Sequence, residues 1–186
     1  MAASSDPEKR WRDFVGWVDV EPLTEAQVRA SFVNCSKGEA KRLNVPRDLA
    51  QQPWKDLDLL GWRDPQARTR GYLVTERDGR PYGIVLRATD GAGGAPRKNL
   101  CTLCLTPHSA GGVVLLVASR AGRAGQNGDS VGTYICADLQ CSLYVRGRKV
   151  SDMGRLPESL STEGKVQRLR TNLDAFLARV GPSADA

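Results

Sequence analysis

Two cysteine pairs constrain this chain more than any other feature. Cys101-Thr-Leu-Cys104 and Cys136-Ala-Asp-Leu-Gln-Cys141 are separated by 31 residues. A CxxC turn lets two thiolates grip one tetrahedral ion while backbone N–H groups hydrogen-bond the sulfurs. A lone CxxC is a weak signal, but two pairs flanking a hairpin form a metal-ligand pattern. The expected reading is one structural Zn²⁺ held by Cys101, Cys104, Cys136 and Cys141.

The wider second spacing sets the local geometry. Positions five apart on a continuous helix differ by about 140° and cannot face one ion. Cys136 is therefore expected at the end of a strand, with Asp138 as the N-cap of a helix and Cys141 at its third position. A helix N-terminus favours a thiolate through its orphan N–H groups. Knuckle, hairpin and ligand-bearing helix make a treble-clef arrangement. Competing readings are a redox CxxC, which leaves the second pair unexplained, and independent buried thiols. Disulfides fit poorly with the polar start Met1-Ala-Ala-Ser-Ser-Asp6, which lacks an apolar signal stretch. Cys35 has no partner nearby in sequence and reads as a buried thiol. The single histidine, His108, could replace a cysteine as ligand, but with four thiolates available it reads as a surface residue or a neighbour of the site.

Around this centre the chain reads as α+β. Thr24-Glu-Ala-Gln27 and Ser36-Lys-Gly-Glu39 fit the capping box, predicting a helix over about 25–34 and a short one ending near Leu43. Trp54 and Trp62 read as core residues in a segment of short helical turns between Pro53 and Pro65. Tyr72–Thr75 and Tyr82–Leu86 flank Asp78-Gly79-Arg80, a hairpin signature. A Gly/Ala loop over 89–96 leads to the first cysteine pair. Val113–Ala118 reads as a buried strand, the Gly-rich stretch 122–128 as a flexible connection with cationic Arg120 and Arg123, and Val131–Ile135 as a further strand. Ser161 caps a C-terminal helix whose Val166, Leu169, Leu173, Phe176 and Val180 share one stripe, with Leu177 beside it, before Gly181-Pro182. The expected organisation is an N-terminal helical region over 1–66, a zinc-finger domain with the C-terminal helix over 67–181, and a disordered tail over 182–186.

Charge and the remaining motifs narrow the function. Of the 186 residues, those from 97 to 155 carry eight Lys/Arg against three Asp/Glu, which concentrates the basic excess around the cysteines. Such a surface suits an acidic protein or a nucleic acid. The few aromatics do not alternate with basic residues, so nucleic acid is the secondary reading. No window is apolar enough for a membrane span, and a cytoplasmic monomer is the expectation. Four cysteines close the metal shell, and no Ser–His or Cys–His dyad is readable, so no enzymatic activity is expected. The loop Gly122–Gly128 matches no phosphate-binding fingerprint.

Ser31-Phe-Val-Asn-Cys-Ser-Lys-Gly38, Leu60-Gly-Trp-Arg-Asp-Pro65, the CxxC and Val131–Arg146 together resemble the elongation factor G-binding proteins. These are FusB-type fusidic-acid-resistance proteins, here in the form typical of high-GC Gram-positive bacteria. The resemblance covers roughly residues 10–180, and its zinc-finger motif is the most specific part. It implies a treble-clef C-terminal finger that binds elongation factor G and promotes its release from the ribosome, which is met only through the factor. The action implied is mechanical, with no chemistry on the drug. The four cysteines carry over as zinc ligands. Tyr134, Tyr144, Arg146 and Arg148 are the candidates for the partner-binding surface. The N-terminal helical part is short beside those of the resistance proteins, and a housekeeping role in recycling the factor fits equally well.

Overall fold

The computed structural model describes residues 22–88 and 99–181. The expected loop over 89–96, Arg97, Lys98 and the expected tail over 182–186 lie outside the described residues. Thr24 caps α1 (Glu25–Ala30) with the full capping box: its hydroxyl accepts from the Gln27 N–H, and the Gln27 side chain returns to the Thr24 N–H. Ser36 caps α2 (Lys37–Lys41) in the same way, but Glu39 does not return to the cap. Its carboxylate pairs instead with Arg70 and Arg87, fastening the helix to the sheet. Both helices are shorter than the capping signals imply.

The segment expected to form only helical turns divides in two. Single 3-10 turns occupy Leu49–Gln51 and Trp54–Asp56, and then Leu60–Arg63 forms β1. This strand pairs antiparallel with β2 (Arg70–Arg77), Leu60 opposite Val74 and Arg63 opposite Gly71. The boundary expected at residue 66 thus falls inside a hairpin. Local propensity is neutral here, and pairing with a neighbouring strand decides the conformation.

From β2 the chain turns at Asp78-Gly79, both at positive φ as a two-residue hairpin requires, into β3 (Arg80–Ala88). β4 (Val113–Ser119) and β5 (Ser130–Cys136) form a second long hairpin. The Gly-rich connection between them, expected to be irregular, contains one helical turn, α3 (Arg123–Gln126). The resulting five-stranded antiparallel sheet runs in sequence order. Among the described residues β3 pairs with β4 through Arg87↔Val117 and Ala88↔Leu116.

Both faces of the sheet are covered, which is why β2 and β3 read as continuous apolar runs. Tyr72, Val74 and Val85 join Val28, Phe32, Leu43, Trp54 and Trp62 in a core under the N-terminal layer. Leu73, Ile84 and Leu86 face the other way, into a core shared with the cysteines and the C-terminal helix α5 (Thr162–Val180). The two tryptophans are buried with their indole N–H groups donating to the carbonyls of Leu49 and Asn44. On α5, Leu169, Leu173, Phe176, Leu177 and Val180 are buried, as the stripe predicts. Ser161 caps its start through the Gly164 N–H, and the Gly181 carbonyl at its end accepts from the Tyr82 hydroxyl and Arg77. No helix among the described residues is long and apolar enough to cross a membrane.

Candidate metal centre

Three pieces of backbone carry the cysteines. The knuckle Cys101–Cys104 turns tightly: Leu105, at φ 55°, donates its N–H to the Cys101 carbonyl at 3.0 Å, and the Cys104 N–H points at Cys101 Sγ at 3.5 Å. A bridge between Leu100 and Pro107 closes its base. The Thr102 N–H and hydroxyl both donate to the Tyr134 carbonyl, tying the knuckle to β5. Asn172 of α5 donates to the Leu103 carbonyl from the other side. Cys136 is the last residue of β5, as expected.

Cys141 opens the short helix α4 (Cys141–Val145) as its first residue, and the N-cap is Gln140 rather than Asp138. The reason is the turn between them. Leu139 adopts φ 61°, which delays the helix, and the Asp138 carboxylate accepts the Gln140 N–H two residues on. That left-handed step drives the Leu139 side chain into the core, against β1 and β2. A Cβ on Gly61 would stand 2.5 Å from the Leu139 carbonyl oxygen, and one on Gly71 would stand 2.9 Å from Leu139 Cδ1. Gln140 also donates to the Gly61 carbonyl at 3.0 Å. The glycine of Leu60-Gly-Trp is therefore the seat on which the second ligand pair rests.

Together these pieces bring four buried sulfurs within 4.8 Å of one another. Cys101 and Cys141 are 3.7 Å apart and Cys104 and Cys136 are 3.4 Å apart, with no disulfide among them. A tetrahedral zinc with bonds of about 2.3 Å needs sulfurs spaced by about 3.8 Å, so the donor set fits the ion. Hydrogen bonds from Cys104, Cys136 and Cys141 hold the Cys101 thiol well below its usual range. The bonds to Cys101 push Cys136 and Cys141 up. A bound dication takes the protons from the ligating thiols and holds them as thiolates. The chain binds one structural zinc.

His108 lies beside the ligands and outside the set. It is buried, with Nε2 3.3 Å from Cys136 Sγ. Cys35 is half-buried rather than fully buried, and burial followed by the Glu39 charge pushes its thiol up to about 11.

The four residues expected at the partner surface separate. Tyr134 is half-buried on β5 and packs against the core. Tyr144 is half-buried, its hydroxyl donating to Asp138 at 2.9 Å and its ring edge-on to His108. Arg148 is exposed and pairs with Asp56. Arg146 turns inward: its guanidinium forms a two-pronged ion pair with the fully buried Asp58, which Arg170 of α5 also contacts at 2.8 Å. Sequence reasoning missed Asp58, Arg170 and Ser142. The buried Ser142 hydroxyl accepts the N–H groups of Asp58 and Leu59. The available signal was a lone carboxylate in the apolar run Leu57-Asp-Leu-Leu60, which needs a buried cation.

The knuckle, the hairpin and the helix-borne fourth ligand match the family of FBP C-terminal treble-clef zinc-finger domains over residues 27–180. The chain belongs to that family. Among solved structures, the fusidic acid resistance protein FusC shares the fold, at a TM-score of 0.55 and 16% identity, over 95% of this chain and 67% of that one. No curated protein matches the sequence. The family expected from the sequence motifs and the α+β architecture with a Cys₄ finger are those found.

Proposed function

We propose that this protein is a zinc-stabilised adaptor that binds the translational GTPase elongation factor G and promotes its release from the ribosome. The release would protect translation when fusidic acid holds the factor in place. Family membership over residues 27–180 carries the reading, and the fold in common with a fusidic acid resistance protein supports it. The proposed action is mechanical, takes place in the cytoplasm, and needs neither catalysis nor a second copy of the chain.

The surface next to the metal centre suits a protein partner. Val150, Met153, Leu156 and Leu160 are exposed within residues 150–160, flanked by Arg148, Lys149 and Arg155. An open cleft between this stretch and the knuckle is lined by Thr106, Pro107, Tyr144, Lys149, Leu156 and Lys165. An exposed apolar cluster rimmed by polar residues is the usual mark of a binding surface. We assign the partner face to this stretch together with Tyr134, Tyr144 and Arg148, and leave Arg146 to the interior. Binding of RNA or DNA, the other reading of the basic surface, is less favoured by the pairing of Arg146, Arg148 and Lys149 with Asp58, Asp56 and Asp138.

A pull-down of the host's elongation factor G by the zinc-loaded protein tests the proposal. A stoichiometric complex that weakens on chelation is expected, with no retention of nucleic acid on a filter at moderate salt. Absence of any complex would contradict it.

A further inference from the structure

The one histidine of the chain is held in place from three sides. Its backbone N–H donates to the Asn99 carbonyl at 2.6 Å, closing the base of the knuckle. Gly112 packs so tightly against it that a Cβ there would stand 2.5 Å from His108 Cβ. The Tyr144 ring meets the imidazole edge-on at 5.0 Å, and the Tyr144 hydroxyl is itself anchored on Asp138. This clamp aims Nε2 at Cys136 Sγ, 3.3 Å away. In the zinc-loaded finger Cys136 is a thiolate with no proton to give, so the contact is a hydrogen bond only if the ring nitrogen donates. Both the Nε2–H tautomer and the imidazolium do so.

We propose that His108 is a fifth, non-ligating member of the zinc centre: its Nε2–H donates to the Cys136 thiolate and screens that sulfur from electrophiles. A hydrogen bond withdraws charge from a zinc-bound thiolate and lowers its reactivity, and partners of this kind change metal-site properties by about 10- to 100-fold. Among the described residues, Cys136 is the ligand that faces a ring N–H. Cys104 has the Thr106 hydroxyl at 3.2 Å and Cys101 the backbone N–H of Cys104. The four sulfurs are therefore unequal, and Cys136 differs in taking its hydrogen bond from an imidazole.

The substitution His108→Phe keeps the ring packing on Tyr144 and removes the donor. In the cobalt-substituted protein it shifts the sulfur-to-cobalt charge-transfer band to lower energy. In the zinc-loaded protein it speeds iodoacetamide modification at Cys136 by about tenfold or more, while rates at Cys101 and Cys141 stay within about twofold. His108→Gln, which retains an N–H donor, moves both readouts back toward the native values. An unchanged band and unchanged rate in His108→Phe, or a Gln variant that behaves like the Phe variant, overturns the proposal. Should His108→Phe fail to fold, the native protein loaded with ¹¹³Cd decides: a scalar coupling between the His108 Nε2 proton and cadmium is expected, and its absence refutes the hydrogen bond.

Discussion

The Leu139 carbonyl oxygen lies 2.5 Å from the point where a Cβ on Gly61 would stand, so the turn carrying two of the zinc ligands rests directly on the backbone of β1. Sheet and metal centre are built against each other at this contact, and neither assembles with the other displaced. Gly61→Ala forces the turn off the strand and is expected to destabilise the zinc-loaded protein by about 1–3 kcal/mol, the usual cost of overpacking a filled core. Urea unfolding at saturating zinc checks this, and a midpoint equal to that of the native protein would contradict it.

Arg146 and Arg148 sit two residues apart and should behave in opposite ways. Arg146→Ala leaves the fully buried Asp58 with Arg170 as its remaining ion-pair partner. Removing one partner of a buried pair costs about 3–5 kcal/mol. Arg148 is a mostly exposed pair with Asp56, and its removal costs at most about 1 kcal/mol. Under the proposed function, Arg146→Ala is expected to lose elongation factor binding by losing the fold, visible in thermal unfolding. Arg148→Ala keeps the melting profile and weakens binding alone.

Asn34 ties β3 to β4. Its amide accepts the Val85 N–H at 2.8 Å and donates to the carbonyls of Val85 and Ser119, so one side chain bridges the two neighbouring strands. Asn34→Ala strands backbone groups at a cost of about 1–3 kcal/mol. Hydrogen exchange at Val85 and Val117 should accelerate well before that of Leu73, at the centre of the β2–β3 hairpin.

Asp64 gives the fold a pH dependence of known sign. Burial alone would raise its carboxyl, but the Tyr72 hydroxyl at 2.6 Å, the Gln66 and Ala67 N–H groups and the Asn44 amide outweigh that and hold it below the usual carboxylate range. A depressed folded-state value means the stabilisation is present above pH ~3.8, the unfolded value, and is lost as pH falls through the folded one. Asp64→Asn should destabilise the protein at pH 7 and make little difference in strong acid. Denaturant midpoints across pH check this, and a penalty that persists unchanged into acid would contradict it.

Much of this was legible in the sequence because the signals are local. The CxxC spacing, the Asp78-Gly79 turn and the Leu169–Val180 stripe each specify structure within a few residues. What was hidden depends on distant neighbours. β1 is a strand because β2 lies beside it, and no alternation in Leu60-Gly-Trp-Arg announces it. Arg146 looked like a surface cation, yet its carboxylate partner stands 88 residues earlier in the chain. Asp138 was a reasonable N-cap until the left-handed Leu139 inserted a turn before α4. The sequence left His108 as a surface residue or a neighbour of the metal, and only the fold buries it and shows which sulfur it faces.

Titrating zinc into the stripped protein tests most directly whether zinc orders the face presented to the partner. Followed by amide NMR, resonances of the knuckle, α4 and residues 150–160 should sharpen together, with a single endpoint at one zinc per chain. A stripped protein whose spectrum already matches the loaded form, or one that takes up no zinc, would contradict the account.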